Sequence, residues 1–150
     1  MDKRYLFRVW IPEEQTMYKG SHIYINGGGE IRWVVVYNGE TVETYFAGDT
    51  EFSIMSCTGL TAAKSYRGDS EDARLVYEGD IVEGMDGTIY LIVWNSFRAQ
   101  FQGKVLECPN GVYDAGSRFM ISQDSADGLE AIGTIHDRPE LLGGAKGESV

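Results

Sequence analysis

The sequence predicts a mostly β protein made of two small β-rich subdomains, the C-terminal one an SH3-like barrel. Three observations predict it. The 150 residues hold 19 Gly but only 3 Pro, so turns are frequent and strands are seldom interrupted. Aromatic residues make up 12% and sit in short runs beside β-branched neighbours, which suits a pleated, half-buried surface. No window sustains an apolar period of about 3.6 residues, as a long amphipathic helix would.

Taken in order, Tyr5 to Trp10 (YLFRVW) predicts an opening strand that stops before Pro12. Met17 to Tyr18 and His22 to Asn26 predict two further short strands. Asn26-Gly27-Gly28-Gly29 is a hairpin signal, because primed turns need positive φ and Gly adopts it without steric cost. Ile31 to Tyr37 and Thr41 to Phe46 flank a second such signal at Asn38-Gly39, and Phe52 to Ser56 closes a subdomain over residues 1–57. Residues 58–75 are polar and of mixed charge, and predict a connecting surface loop with one helical turn near Ser70 to Leu75.

The second subdomain is expected over residues 76–142. Ile81-Val82 is a short strand, and Asp86-Gly87 a third hairpin signal. Thr88 to Trp94 (TIYLIVW) is the most apolar strand. Arg98 to Gln102 and Lys104 to Glu107 read as strands broken at Gly103. Val112-Tyr113, Arg118 to Ile121 and Glu130 to His136 follow. A short strand, a hairpin, a long apolar strand and two more strands is the order expected of an SH3-like barrel. Pro139 suits the first turn of a short closing helix, where its missing N–H costs nothing. Residues 143–150 (GGAKGESV) predict a flexible tail.

The formal net charge is −10 and the sequence pI is about 4.6. Salt-driven phosphate binding needs a Lys/Arg-rich face, so nucleic acid is disfavoured as a partner. Lys3, Arg4 and Arg8 could form a local basic patch. The longest apolar run, Ile89 to Trp94, is far too short to span a membrane. The first residues lack the apolar core of a signal peptide. Cys57 and Cys108 belong to no CxxC or Cys/His cluster, so reduced thiols and a cytoplasmic location are expected.

Four blocks resemble a family. Phe7-Arg8-Val9-Trp10 followed by Met17-Tyr18 is similar to the FRxW…MY opening of the YopX family of phage and prophage proteins. Thr58-Gly59-Leu60, then Val76-Tyr77-Glu78-Gly79-Asp80-Ile81-Val82, resembles its TGL…IYEGDIV block. Tyr90 to Trp94 resembles the apolar strand that follows. Ile132-Gly133-Thr134-Ile135-His136, then Pro139-Glu140-Leu141-Leu142, resembles its C-terminal IGNIYENPELL. The link at 61–74 is longer and more acidic than the family's form, and the end carries Thr134, His136, Asp137 and Arg138 instead.

The resemblance implies a phage or prophage accessory protein with a β-rich fold, acting in the host bacterial cytoplasm, and it implies no particular activity. Within the blocks, Arg8, Trp10, Tyr77, Glu78, Asp80 and His136 are the candidate interaction residues. In YEGDIV, Gly79-Asp80 is expected to turn and Tyr77 and Ile81 to pack. Glu78 and Asp80 should face solvent or cap backbone N–H groups.

Catalytic signatures do not emerge. His136-Asp137 has no GxSxG partner, and neighbours on a strand point to opposite faces. Zinc needs close Cys/His pairs. Asp69-Ser70-Glu71-Asp72 and the Asp124 to Glu130 stretch gather carboxylates without EF-hand spacing. Gly27-Gly28-Gly29 leads into a strand, not the helix a phosphate loop requires. The expectation is a non-enzymatic binding or assembly protein with no cofactor and no metal, forming a homo-oligomer, with a host or phage protein as a further partner. One alternative is a nucleic-acid accessory that stacks bases on Tyr90, Trp94 and Phe101. The other is a protein that sequesters a small molecule in a pocket, or that interferes with a host protein through surface mimicry or β-edge pairing.

Overall fold

A computed structural model describes residues 6–145. The chain divides into two compact units, residues 1–57 and 58–150. The fold is mostly β, with two six-stranded sheets.

In the first unit, β1 (Phe7–Ile11) lies between β2 (Thr16–Ile25) and β5 (Ser53–Thr61). β3 (Ile31–Tyr37) and β4 (Val42–Phe46) extend the sheet beyond β2. Strand alternation sends Val9, Ile11, Val34 and Val36 to one fully buried face, where Phe7, Tyr18, Ile23, Tyr45, Phe52 and Ile54 close over them. The other face of β3 is open enough for a ladder of rings. Tyr24 stacks on Trp33 at 4.1 Å between centroids, and Trp33 tilts against Phe46 at 5.9 Å.

Both predicted hairpins form. Gly29 and Gly39 take the positive φ, at 85° and 103°. The side chains of Asn26 and Asn38 cap the following amides, those of Gly28 and Glu30 and of Glu40 and Thr41. The two short strands expected over residues 17–26 are one strand. A bulge between Gly20 and His22 absorbs the irregular pattern there, so pairing with β3 survives a stretch that reads as a break. Tyr5 lies outside the described residues, and β1 starts at Phe7.

The region expected as a polar connecting loop carries regular structure. β5 runs on to Thr61. After it come β6 (Lys64–Ser65), the single-turn helix α1 (Glu71–Arg74) capped by Ser70, and β7 (Leu75–Tyr77), which neighbours β5. All three residues of β7 are buried.

The second unit's sheet runs β11 (Arg118–Met120), β10 (Gln100–Glu107), β9 (Ile89–Asn95), β8 (Asp80–Glu83), β12 (Glu130–Thr134), β6. This corrects the SH3-like expectation: no sheet closes into a barrel. The strand order of the sequence is kept, but closure needs the end strands to meet, and here β11 and β6 stand at opposite edges. The sheet buries both faces instead. On one, Val82, Ile92, Leu129 and Ala131 join Tyr90, Phe101 and Ile121. On the other, Ile81, Leu91 and Leu106 meet Val93, Ile135, Leu141 and Leu142. The last two come from a 3-10 helix, Pro139–Ala145, the expected closing element.

Three local expectations differ. β10 continues through Gly103, Val112-Tyr113 is not a strand, and β12 ends at Thr134, before His136. The expected tail at 143–150 starts inside the 3-10 helix, and residues 146–150 lie outside the described residues. Among the described residues, no helix is long and apolar enough to cross a membrane.

Candidate binding site

The site grows from one position in β10. Gly103 pairs with Ile92 of β9 on one side and with Phe119 of β11 on the other. Paired residues share a face, so a side chain is missing between Ile92 and Phe119. Tyr90 leans into the gap: a Cβ at Gly103 would meet the Tyr90 ring at 3.3 Å. The result is a floor of Tyr90, Ile92 and Val82 with a hollow above it.

The walls follow from two turns. One is Gly84 to Thr88, where Gly87 takes φ of 85° and the Asp86 Oδ1 accepts the Thr88 amide at 3.0 Å. The other is α2 (Gln123–Ala126) with Gly128 and Leu129 after it. A capping box starts α2: the Ser122 hydroxyl accepts from the Ser125 amide, and the Ser125 hydroxyl accepts from the Ser122 amide at 2.8 Å. Together they enclose a cavity of about 370 Å³ whose lining is mostly apolar. That size falls within the range of small-ligand pockets. Met85 and Met120 stand at its mouth, 92% and 68% exposed. Unbranched thioethers adapt to irregular shapes, which suits a mouth that must admit varied apolar groups.

Besides the Tyr90 phenol, two polar side chains line the cavity. The Ser125 hydroxyl is held in the capping box. Asp86 is the charged one, and the Thr88 backbone amide, then the Thr88 side chain, hold its carboxyl below the usual range, so it stays ionised. Burial, with the Asp86 charge added, pushes the Tyr90 hydroxyl above its ordinary value, so the phenol stays protonated at neutral pH.

The candidate interaction residues fall elsewhere. Arg8 and Trp10 are buried in β1 of the first unit, 8% and 9% exposed. Tyr77 and Asp80 are brought together in the second unit, where the Asp80 Oδ2 accepts the Tyr77 amide at 2.8 Å. Of the two fates expected for Asp80, capping is the one observed, and the residue is fully buried rather than facing solvent. Glu78 and His136 are half-buried. Asp137, beside His136, accepts from the Thr134 amide and the Tyr66 hydroxyl. Of the aromatics considered for base stacking, Tyr90 lines the cavity and Phe101 packs on the core, while Trp94 meets Phe101 edge-on at 4.8 Å and is 44% exposed.

Of the cavity-forming residues, the sequence singled out Tyr90 and the Asp86-Gly87 turn, and the others escaped it. The usable signal was Gly103 between Phe101 and Val105, since an isolated strand glycine often marks close approach of another group. Among the described residues, no cluster of three or more His, Cys, Asp and Glu could hold a metal ion.

A family model described as YopX protein matches residues 6–143. The chain belongs to the YopX family. The crystal structure of protein EF1440 from Enterococcus faecalis is similar to this YopX-family chain, with a TM-score of 0.57 and 20% identity. The match covers 91% of this chain and 96% of that one, and at that identity it speaks for the fold alone. No curated protein sequence matches.

Proposed function

We propose that this YopX-family chain is a non-catalytic binding protein that holds an apolar group in the cavity above Gly103. The carrying observation is the cavity itself: about 370 Å³, mostly apolar, with one ionised carboxylate. Binding by burial of apolar surface needs no reacting group, and the hydroxyl of Ser125 is already committed to a helix cap. The family resemblance supports an accessory role for a phage or prophage, in the host cytoplasm, with a host or phage protein as target.

The test is titration with N-phenyl-1-naphthylamine, a neutral dye that brightens in apolar surroundings. The wild type is expected to bind it saturably, one dye per chain. Met85→Glu and Met120→Glu place charges at exposed positions of the mouth and should weaken binding at least about tenfold while the fold persists. Absence of saturable binding, or equal binding by both variants, sinks the proposal.

Self-association is part of the same reading. In the first unit β4 ends its sheet, and Val42 and Phe46 are 52% and 49% exposed on it. An uncovered apolar edge invites pairing with a second copy. Light scattering is expected to show an oligomer, and a monomer up to high micromolar concentration removes the claim.

A further inference from the structure

The cavity adjoins an open sheet edge, and together they select a kind of ligand. β11 is the last strand of its sheet, and Arg118, Phe119 and Met120 are all exposed. The ladder between β10 and β11 fixes which backbone groups face outward. The Val105 amide donates to the Ser117 carbonyl at 2.7 Å. Hydrogen-bonded and non-bonded pairs alternate along an antiparallel ladder. Gly103 and Phe119 therefore form the next bonded pair, and the N–H and C=O of Arg118 and Met120 point to the free edge. Phe119 points its side chain to the face it shares with Gly103, the face on which the cavity lies.

From this juxtaposition we infer that the site takes an extended peptide, which adds as a strand to β11 and lowers one side chain towards the cavity. The inference rests on the cavity reading above. The residue opposite Phe119 occupies a non-bonded pair, where side chains approach most closely, and its side chain lies on the cavity face. Its neighbours exchange backbone hydrogen bonds with Arg118 and Met120. Charge complementarity shapes the choice of residues. Asp86 is the charged group lining a mostly apolar hollow, so an anchor that brings a donor on an apolar body, such as Trp, is favoured over Phe. Arg118 favours an acidic residue opposite it. Main-chain pairing supplies affinity and the cavity supplies specificity, as in other strand additions.

The test compares probes by calorimetry and by displacement of the naphthylamine dye. The first is the blocked peptide acetyl-Thr-Val-Trp-Glu-Thr-amide. The second is the same peptide N-methylated at Val and Glu, which removes the edge-pairing donors. The third is tryptamine, which offers the anchor ring alone. The parent peptide is expected to bind and displace the dye, the methylated peptide to lose at least about tenfold in affinity, and tryptamine to bind more weakly still. In Asp86→Asn the advantage of the Trp peptide over its Phe counterpart should shrink, because the amide keeps the turn but not the charge. Equal binding by the parent and methylated peptides, or tryptamine binding as tightly as the peptide, overturns strand addition and leaves a small-molecule cavity. If the dye does not bind either, the cavity reading itself fails, and this inference with it.

Discussion

Arg67 holds Asp80 with two nitrogens, Nη1 on Oδ1 at 3.3 Å and Nη2 on Oδ2 at 3.1 Å, across a gap of 13 positions in sequence. Asp80 is fully buried, and Arg67 also donates to the carbonyls of Ala73 and Leu75. The guanidinium lies over the rings of Tyr66 and Tyr77 at 5.1 and 6.0 Å. Burial works against the Arg67 charge, but the Asp80 carboxylate more than offsets it, so the guanidinium is held above its ordinary value. The long acidic link at 61–74 thus supplies the cation that lets the YEGDIV block bury its aspartate.

Breaking that pair from one side leaves an uncompensated buried charge. Arg67→Met and Asp80→Leu should each lower stability by about 3 kcal/mol, towards the lower end of the range for such pairs because Arg67 keeps some solvent contact. The double variant should lose less than the sum. Urea unfolding of the four proteins in the cycle measures this, and additive losses would show that the two side chains do not act together.

Gly20 sits beneath the ring of Phe7, where an added Cβ would overlap the ring carbons. Gly20→Ala is therefore expected to push Phe7 off the first unit's core and to cost about 1–3 kcal/mol. Phe7→Leu in the Gly20→Ala background should recover part of the loss. A neutral Gly20→Ala in thermal unfolding contradicts the packing described.

The two thiols should react at different rates. Cys57 is 1% exposed, whereas Cys108 is half-exposed. The Thr88 hydroxyl, then the Tyr113 amide, lower the Cys108 thiol from its ordinary value. Iodoacetamide at neutral pH should label Cys108 first, at least about ten times faster than Cys57. Thr88→Val should slow that labelling and move its pH profile upward. Mass mapping of the labelled site decides it.

Asp86 gives an acid-side signature. Its folded carboxyl titrates below the ordinary value of 3.8 because the Thr88 amide favours the ionised form. A depressed folded pKa contributes stability that is present above the unfolded value and is lost as pH falls through the folded one. Asp86→Asn keeps an acceptor for the turn but does not titrate. The wild type's advantage over this variant should therefore be greatest near neutrality and shrink below about pH 3.8. A difference that stays constant from pH 7 to pH 3 would rule out this linkage.

Much of the fold was legible locally. The hairpins at Asn26 and Asn38 and the turn at Asp86-Gly87 announce themselves because positive φ and short side-chain caps are written in adjacent residues. Phe7 to Trp10, Ile31 to Tyr37 and the apolar run up to Trp94 read as strands because alternation and β-branching act over a few positions. Boundaries drifted where a bulge at Gly20 or a glycine at 103 looked like a break, since pairing with neighbours holds a strand that its own residues would interrupt.

By itself, then, the sequence determined that the chain is mostly β, where it turns, and which family it resembles, because those depend on short-range geometry and residue type. Only the tertiary structure decided that the sheets stay open, that Arg67 neutralises Asp80, and that Gly103 leaves a hollow beside Tyr90. Each of these needs residues far apart in the chain to meet, and such meetings are set by strand order and register, which local patterns do not encode.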